Sequence, residues 1–485
     1  MGQGSGYAVN GKMLEHETSL DVNPTATVVR LGGRLGELSL PRQVWVLAVW
    51  PLLEQVLSFF VGLTDLLVSG HMATGLEQAA ILDAMGLGTY VLWFLNILQG
   101  AVGTGVMALV SRATGGHDDR LANRGLGQGL WLGLGAGLFS FLLMQVGVML
   151  LIRWVGLGPA ATTQAESYLK ILAFSAPFSG GLFAINAALR GSGDTRTPFY
   201  SMIVVNGVNM ALCWLLVFGP APFGGHGVAG IGTATVISWV MGFLTCVLLV
   251  RWKKADGLHW AYESLRPHVE TLRRILHVGA PQALEITGMW LIHAFGIRII
   301  SGLGNGGALG AHILAIRVES MSFLPGFAIG TAGAALAGQY LGAGSREMAV
   351  KAVRLCWKVA AVLMGTIGIS FLLGRHHLIG WMAPGSDLHA RLAVPLLVVC
   401  AFSQPFFATC IILKTSMRGA GATQIVLRWS FGSMFFYRVI VLWVLSYYGC
   451  LSLTGVWIVF TLDMITQAAI FVRLHFQGKW LDACV

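Results

Sequence analysis

The chain has 485 residues, of which 55% are hydrophobic and only 11% are charged, and its formal net charge is +10. A soluble domain carries about 25% charged residues. The apolar residues come in runs of about twenty or more, the length that a helix needs to cross a hydrocarbon core of about 30 Å. These features exclude a soluble globular domain and predict an all-α polytopic membrane protein embedded in a lipid bilayer.

Twelve transmembrane helices are predicted along the chain. Residues 1–40 and 476–485 are predicted as tails, residues 41–250 and 278–475 as two six-helix lobes, and residues 251–277 as a linker that forms an interfacial helix. The predicted spans are 44–70, 84–112, 126–152, 167–190, 198–219, 227–250, 278–303, 311–339, 350–374, 391–417, 424–448 and 453–474.

The distribution of basic residues predicts the orientation of the spans. If both termini are cytoplasmic, the inner side holds 22 of the 31 Lys and Arg residues, and five lie within spans. The outer side holds four, which are Arg153, Lys170, Arg375 and Arg391. This bias follows the positive-inside rule, so both termini are expected in the cytoplasm. It also explains the positive net charge, and no nucleic-acid partner is expected.

The two halves of the sequence repeat. AFSAPF (173–178) recurs as AFSQPF (401–406), ALRGSGDT (188–195) as SMRGAGAT (416–423), and GTGVMALVSRATGG (103–116) as GTAGAALAGQYLGA (330–343). The offset between the two copies is the same in each case, to within a single position. Because six spans return the chain to the same side, the lobes should be parallel repeats, related by a pseudo-two-fold axis along the membrane normal. By analogy with such folds, the expected mechanism is alternating access to a cavity between the lobes.

Several motifs match one transporter family in their order and spacing. They are the P-x13-D-x4-G pattern of Pro51, Asp65 and Gly70, GTGVMALVSRATGG after span 2, ALRGSGDTRTP after span 4, and GAPQALE and GQYLGAG in the second half. In these motifs the chain resembles the multidrug and toxic compound extrusion (MATE) transporters over about residues 41–475. The resemblance implies export of bulky, often cationic organic compounds, driven by inward movement of protons or sodium ions.

The resemblance places an ion-coupling site in the N-terminal lobe. Asp65 is similar to the family's span 1 aspartate, and a carboxylate in an apolar lobe is costly to keep charged, so it can take up and release a proton. Asn209 and Thr235 are the other expected members, while Cys213 stands where the family often has a second aspartate. A thiol is a poor ligand for a hard cation, which favours protons over sodium. The alternatives are an interfacial charge for Asp65 and a helix–helix hydrogen bond for Asn209.

Two further acids are candidates for the substrate-facing walls. Glu54 and Glu285 each follow a proline closely, in PLLE and PQALE, and so lie at similar depth in the two lobes. One carboxylate on each wall would attract a cationic substrate without fixed geometry. Glu285 also resembles the span 7 glutamate that has substrate or coupling roles in part of the family. The alternative is that each acid bonds a neighbouring helix and holds the kink left by Pro51 or Pro281.

The C-terminal lobe contains a possible charge network. Arg317 and Glu319 are two residues apart and face different ways on a helix, so they are expected to bond separately to other spans, including Arg298. Arg438 and Asp463 lie in consecutive spans, and a buried ion pair is the simplest interpretation. A second coupling site there is the alternative.

These observations predict a secondary active antiporter that exports organic cations against inward proton movement. The alternatives are sodium coupling, a lipid or lipid-linked sugar flippase of the same broad superfamily, and a non-transporting receptor or scaffold. A flippase should carry a basic cluster for a phosphate, whereas the candidates here are mostly acids. No catalytic motif, cofactor or metal site is expected. The protein should be a monomer in the plasma membrane, the inner membrane of a bacterium.

Overall fold

Twelve long helices lie within the described residues, in agreement with the twelve predicted spans. The computed structural model describes residues 31, 33–72, 75–155, 157–253, 258–303, 307–382, 387–483 and 485. Spans 1 to 12 are Leu40–Gly70, Gly75–Gly115, Asp119–Val155, Pro159–Ser192, Arg196–Phe218, Gly227–Lys253, Val269–Ser301, Ala308–Gly342, Arg346–Met382, Asp387–Gly419, Thr423–Tyr447 and Leu453–Gln477. Most of the predicted N-terminal tail lies outside the described residues.

The spans are long enough to cross a bilayer. Eleven of them, from span 2 to span 12, pass a test of length and apolar composition over the described residues. Span 1 is the twelfth and has 31 residues, which corresponds to about 46 Å at about 1.5 Å per residue. The protein is therefore a multi-pass membrane protein, as the composition predicts.

Two spans depart from regular α-helical geometry. Span 4 contains a 3₁₀ turn at Ala173–Ser175, which ends two residues before Pro177. Span 11 contains a π-helical segment at Phe435–Val441. Segments of this second kind are rare and often lie at functional sites.

The predicted interfacial helix is wrong for the described part of the linker. Residues 258–268 contain only the four-residue helix Tyr262–Leu265, and span 7 already begins at Val269. Pro267 explains the break, because a helix rarely continues through the residue before a proline. The loop lies on span 3 instead, where Gln128 Nε2 donates to the Ser264 carbonyl at 2.9 Å.

At the end of the molecule away from the chain termini, here called the far end, each lobe has its own hydrophobic core. One cluster of buried residues draws only on the N-terminal lobe, from Ile81 to Ala234. The other draws only on the C-terminal lobe, from Ile300 to Val459. The two cores share no member among the described residues.

At the opposite end, here called the termini end, one core joins the lobes. Leu31, Leu35 and Leu47 of the N-terminal half pack in a single cluster with residues of spans 8, 9 and 10. Leu481, beyond span 12, packs against the same cluster, so both ends of the described part of the chain lie here. The Tyr340 hydroxyl of span 8 also donates to Gln43 Oε1 of span 1 at 2.8 Å.

Two hydrogen bonds related by the repeat connect the lobes at this termini end. Arg112, in the last turn of span 2, donates from Nη2 to the Ala420 carbonyl at 2.9 Å. Gln339 occupies the corresponding repeat position in span 8 and donates to the Gly191 carbonyl at 2.8 Å. Each lobe thus caps the end of a helix in the other lobe.

Glycines at repeat positions allow this close approach. A Cβ atom at Gly115 would lie 1.9 Å from the Gln339 carbonyl oxygen, and a Cβ at Gly342 would lie 2.0 Å from the Arg112 carbonyl oxygen. The backbones of spans 2 and 8 therefore touch directly. Any side chain at either position would push the lobes apart.

Gly115→Ala should loosen the termini end. The added methyl group meets backbone rather than a flexible side chain, and overpacking of this kind costs about 1–3 kcal/mol. Hydrogen–deuterium exchange should rise in residues 105–116 and 330–344. Gly365→Ala is the matched control, because nothing lies within 4 Å of its added Cβ. Unchanged exchange in Gly115→Ala would show that this contact does not hold the lobes together.

Candidate ion-coupling site

The structure brings Asp65 together with its predicted partners in the N-terminal lobe. Asp65 is 5% exposed, and Asn209 and Thr235 are buried beside it. Asn209 Nδ2 donates to Asp65 Oδ1 at 3.3 Å, and Thr235 Oγ1 lies 3.2 Å from Asp65 Oδ2. The Cys213 thiol lies 3.4 Å from Oδ1. Among the described side chains, no Lys or Arg forms an ion pair with Asp65.

Thr235 can satisfy Asp65 in either protonation state. Its hydroxyl lies 3.2 Å from Asp65 Oδ2 and 3.0 Å from the Ile231 carbonyl oxygen. A hydroxyl can both donate and accept a hydrogen bond. When Asp65 is ionised, the hydroxyl donates to it. When Asp65 is protonated, the carboxyl can donate to Thr235, which then donates to Ile231.

One oxygen at this site remains without a partner. Asn209 uses Nδ2 for both Asp65 and Thr235, and its Oδ1 is buried with no hydrogen bond to any described residue. A buried acceptor left unpaired is unfavourable by about 1–3 kcal/mol. This oxygen is therefore available to a ligand that enters the site.

Glu54, the second acid of span 1, is not a free carboxylate. It is 6% exposed, and Arg190 near the end of span 4 donates from Nη2 to its Oε1 at 2.5 Å. Glu54 and Asp65 thus lie on one helix but differ in the charge of their partners. The first is neutralised by a basic residue, and the second is surrounded by neutral donors.

Glu285 has two basic partners in the C-terminal lobe. Arg418 Nη2 lies 2.8 Å from its Oε1, and Lys414 Nζ lies 3.6 Å from the same oxygen. Arg418 stands at the repeat position of Arg190, so the two lobes contain equivalent glutamate–arginine pairs. The sequence analysis did not identify Arg190, Arg418 or Lys414, although the repeat offset relates the two arginines.

These pairs change the charge expected near the two glutamates. Each acid is matched or outnumbered by basic side chains, so acids no longer dominate this region. The charge of this region therefore no longer argues against a lipid flippase, which was expected to carry a basic cluster.

The predicted pair of Arg438 and Asp463 is present. Arg438 Nε donates to Asp463 Oδ2 at 2.6 Å, and Asp463 is fully buried. Arg298 and Arg317 are exposed, and no ion pair joins either of them to Glu319 among the residues that the structure describes. The predicted C-terminal charge network thus excludes these two arginines.

The network extends in another direction. Gln467 donates to Asp463 Oδ1 at 2.8 Å, and Lys414 donates to Gln467 Oε1 at 3.1 Å. Because Lys414 also approaches Glu285, a continuous polar chain runs from Arg438 to Arg418 through the interior of the lobe.

Removing one partner of the pair in the N-terminal lobe should destabilise the protein. Arg190→Met leaves Glu54 buried and unpaired, which costs about 3–5 kcal/mol, whereas replacing both partners by apolar residues can be neutral. The melting temperature in detergent should fall for Arg190→Met and recover in the double variant with Glu54→Leu. Lys351→Met, in an exposed pair with Glu347, is the control and should cost about 0–1 kcal/mol. No recovery in the double variant would show a role beyond mutual neutralisation.

Comparisons with known proteins place this arrangement in a family. A family model described as MatE matches residues 52–215 and 281–444, one segment in each lobe. The chain is 27% identical over 431 residues to a probable multidrug resistance protein NorM of Thermotoga maritima, which covers 88% of this chain and 90% of that protein. It is 26% identical over 395 residues to a probable multidrug resistance protein YoeA of Bacillus subtilis, covering 80% and 84%.

Solved structures share the fold. One is described as the outward-facing conformation of a multidrug resistance MATE family transporter of the MOP superfamily. It has a TM-score of 0.83 at 20% identity, over 92% of this chain and 97% of that one. A MOP superfamily transporter from Pyrococcus furiosus, described as having a binding pocket of reverse polarity, matches with the same score, identity and coverage. The architecture of twelve helices in two lobes is thereby confirmed.

Proposed function

The chain belongs to the MatE family, and we propose that it is a secondary active exporter of organic cations, drugs among them, driven by inward movement of protons. Relatives named for multidrug resistance support the substrate class. They are transporters and not enzymes, in agreement with the lack of a recognisable catalytic motif in the sequence. The protein acts as a monomer, since one chain supplies both lobes.

The arrangement of Asp65, Thr235 and the Ile231 carbonyl carries the proton assignment. This buried carboxyl has a hydrogen-bonding partner in both protonation states and no basic residue bonded to it in the described chain. A proton can therefore bind and leave without leaving a buried group unsatisfied. Glu54, Glu285 and Asp463 lack the second property, because each bonds an arginine.

The packing of the lobes supports alternating access. The lobes touch through backbone and share a core at the termini end, and they keep separate cores at the far end. The excess of basic residues at the termini end supports a cytoplasmic location for both termini. The state described here is then closed to the cytoplasm, and the bonds of Arg112 and Gln339 must break for the cavity to open inward.

Aromatic side chains from both lobes support recognition of organic cations. Trp290 of span 7 lies edge-to-face with Phe94 of span 2, with ring centres 5.6 Å apart, and with Tyr90 at 6.4 Å. The faces of such rings attract cations, with energies of about 0.5–2 kcal/mol. They meet where the lobes would separate during transport.

Asp65→Asn should abolish export driven by protons. The amide cannot bind and release a proton, while its size is unchanged. Ethidium transport should be measured in inverted membrane vesicles, with a proton gradient or a sodium gradient imposed separately. A proton gradient alone should drive the wild type, and Asp65→Asn should fall to background. Glu166→Gln, in an exposed pair with Lys170, is the control acid. Normal transport by Asp65→Asn, or a requirement for sodium, would refute the assignment.

Sodium coupling is the second candidate, because the unpaired Oδ1 of Asn209 offers a further oxygen. Together with Asp65 and Thr235 it gives side-chain oxygens of the type that hard cations prefer. The thiol of Cys213 occupies the position where another carboxylate would complete such a site.

Cys213→Asp should therefore create a sodium response. The new carboxylate would lie beside Asp65 and supply the missing ligands. The melting temperature should rise with sodium chloride relative to choline chloride in this variant only, because a ligand that binds the native state stabilises it. Cys213→Ser is the control. A rise of the same size in the wild type would favour sodium as the natural coupling ion.

A further inference from the structure

A histidine pair in the C-terminal lobe is not explained by the site at Asp65. His312 of span 8 is 2% exposed, and its ring centre lies 6.3 Å from that of His293 in span 7. Trp457 Nε1 lies 3.1 Å from His312 Nδ1. An indole N–H can only donate, so Nδ1 is the acceptor and the proton of the neutral ring is on Nε2.

His312 Nε2 has no hydrogen-bond partner in the described chain, and it is buried. Leaving such a donor unpaired costs about 1–3 kcal/mol, so aromatic packing against Trp457 and Phe460 alone does not account for the residue. The His293 ring lies beside it, with 6.3 Å between the two ring centres. The geometry is that of a place where a small polar ligand or a proton binds.

His293 occupies the repeat position of Asp65. The repeat offset that relates Arg190 to Arg418 also relates Asp65 to His293 and Thr235 to Asp463. Each lobe thus has a titratable group at the same place in its first span, Asp65 or His293. Each also has a polar residue at the same place in its sixth span, Thr235 or Asp463. The chemistry differs, because the carboxylate of the N-terminal lobe is replaced by an imidazole.

Charged groups surround the pair on several helices. Span 11 contributes Arg438, within its π-helical segment, which interacts electrostatically with His293. Span 12 contributes Asp463, already bonded to Arg438, Ser433 and Gln467. Span 8 contributes Glu319, which interacts electrostatically with Arg438.

Span 10 contributes two more titratable groups. Cys400 lies beside Glu319, and His389 packs against Gly310, where an added Cβ would lie 2.6 Å from its Nε2. His389 stands two residues into the far-end start of span 10. A third histidine thus lies between the far end and the pair.

We propose that His293 and His312 form a second proton-binding site in the C-terminal lobe. The proposal rests on the proposed proton coupling. His293 takes the proton on a ring nitrogen. Glu319 supplies the offsetting negative charge, because it and His293 both interact with Arg438 and Asp463 is already bonded to that arginine. His312 is a positioning residue, because its ring lies beside that of His293 and its Nε2–H has no partner in the described chain. Export then moves protons through both lobes instead of one.

Proton release on substrate binding tests the proposal directly. The purified full-length protein in weakly buffered detergent is mixed with ethidium, released protons are counted with a pH indicator, and binding is measured separately by ethidium fluorescence. The wild type should release more protons per bound ethidium than Asp65→Asn or His293→Gln. Asp65→Asn should keep a release that disappears when His293→Gln is added. His376→Gln, at an exposed histidine, should match the wild type.

The outcomes separate this inference from the proposed function. If Asp65→Asn binds ethidium but releases no proton, the second site is overturned and the first stands. If the wild type binds ethidium and releases none, proton coupling itself fails, and this inference fails with it. His312→Gln should shift the pH midpoint of the release retained by Asp65→Asn without removing it. An unchanged midpoint would overturn the role given to His312.

Discussion

A buried carboxylate with no basic partner is the constraint on which the proposed mechanism depends. Charge inside a membrane is unfavourable by about 2.5–3.5 kcal/mol on insertion scales. Among the described residues, Asp65 is bonded by neutral donors, from Asn209, Thr235 and Cys213. In the proposed mechanism, a bound cation or proton neutralises it. The empty state is therefore the costly one. A transporter can use that cost to link ion binding to the movement of its lobes.

The two lobes have diverged from a common plan. Each keeps a glutamate–arginine pair, but only the C-terminal lobe continues it into a polar chain. Lys414 and Gln467 of that chain stand at the repeat positions of Asn186 and Trp239. The N-terminal lobe lacks these connecting groups, so its pair at Glu54 and its site at Asp65 remain separate.

The sequence predicts the spans well because the thickness of the hydrocarbon core sets their length, and that length is visible as runs of apolar residues. It also predicts that Asp65, Asn209 and Thr235 belong together, through motifs rather than geometry. The partner of Glu54 is missed because Arg190 is 136 residues away and reads as one more basic residue near an inner loop. The prediction of an interfacial helix is wrong because it relied on the basic residues of the linker and did not take account of Pro267, before which a helix tends to end.

Reaction with dicyclohexylcarbodiimide tests the central claim most directly, since this apolar reagent modifies protonated carboxyl groups within membranes. The protein is labelled in its native bilayer at several pH values, and the modified residues are mapped by mass spectrometry. The account predicts modification of Asp65 that decreases as the pH rises and that ethidium prevents, with little at Glu54, Glu285 and Asp463, which form ion pairs with arginines. Modification of those three acids with an unreactive Asp65 would contradict it.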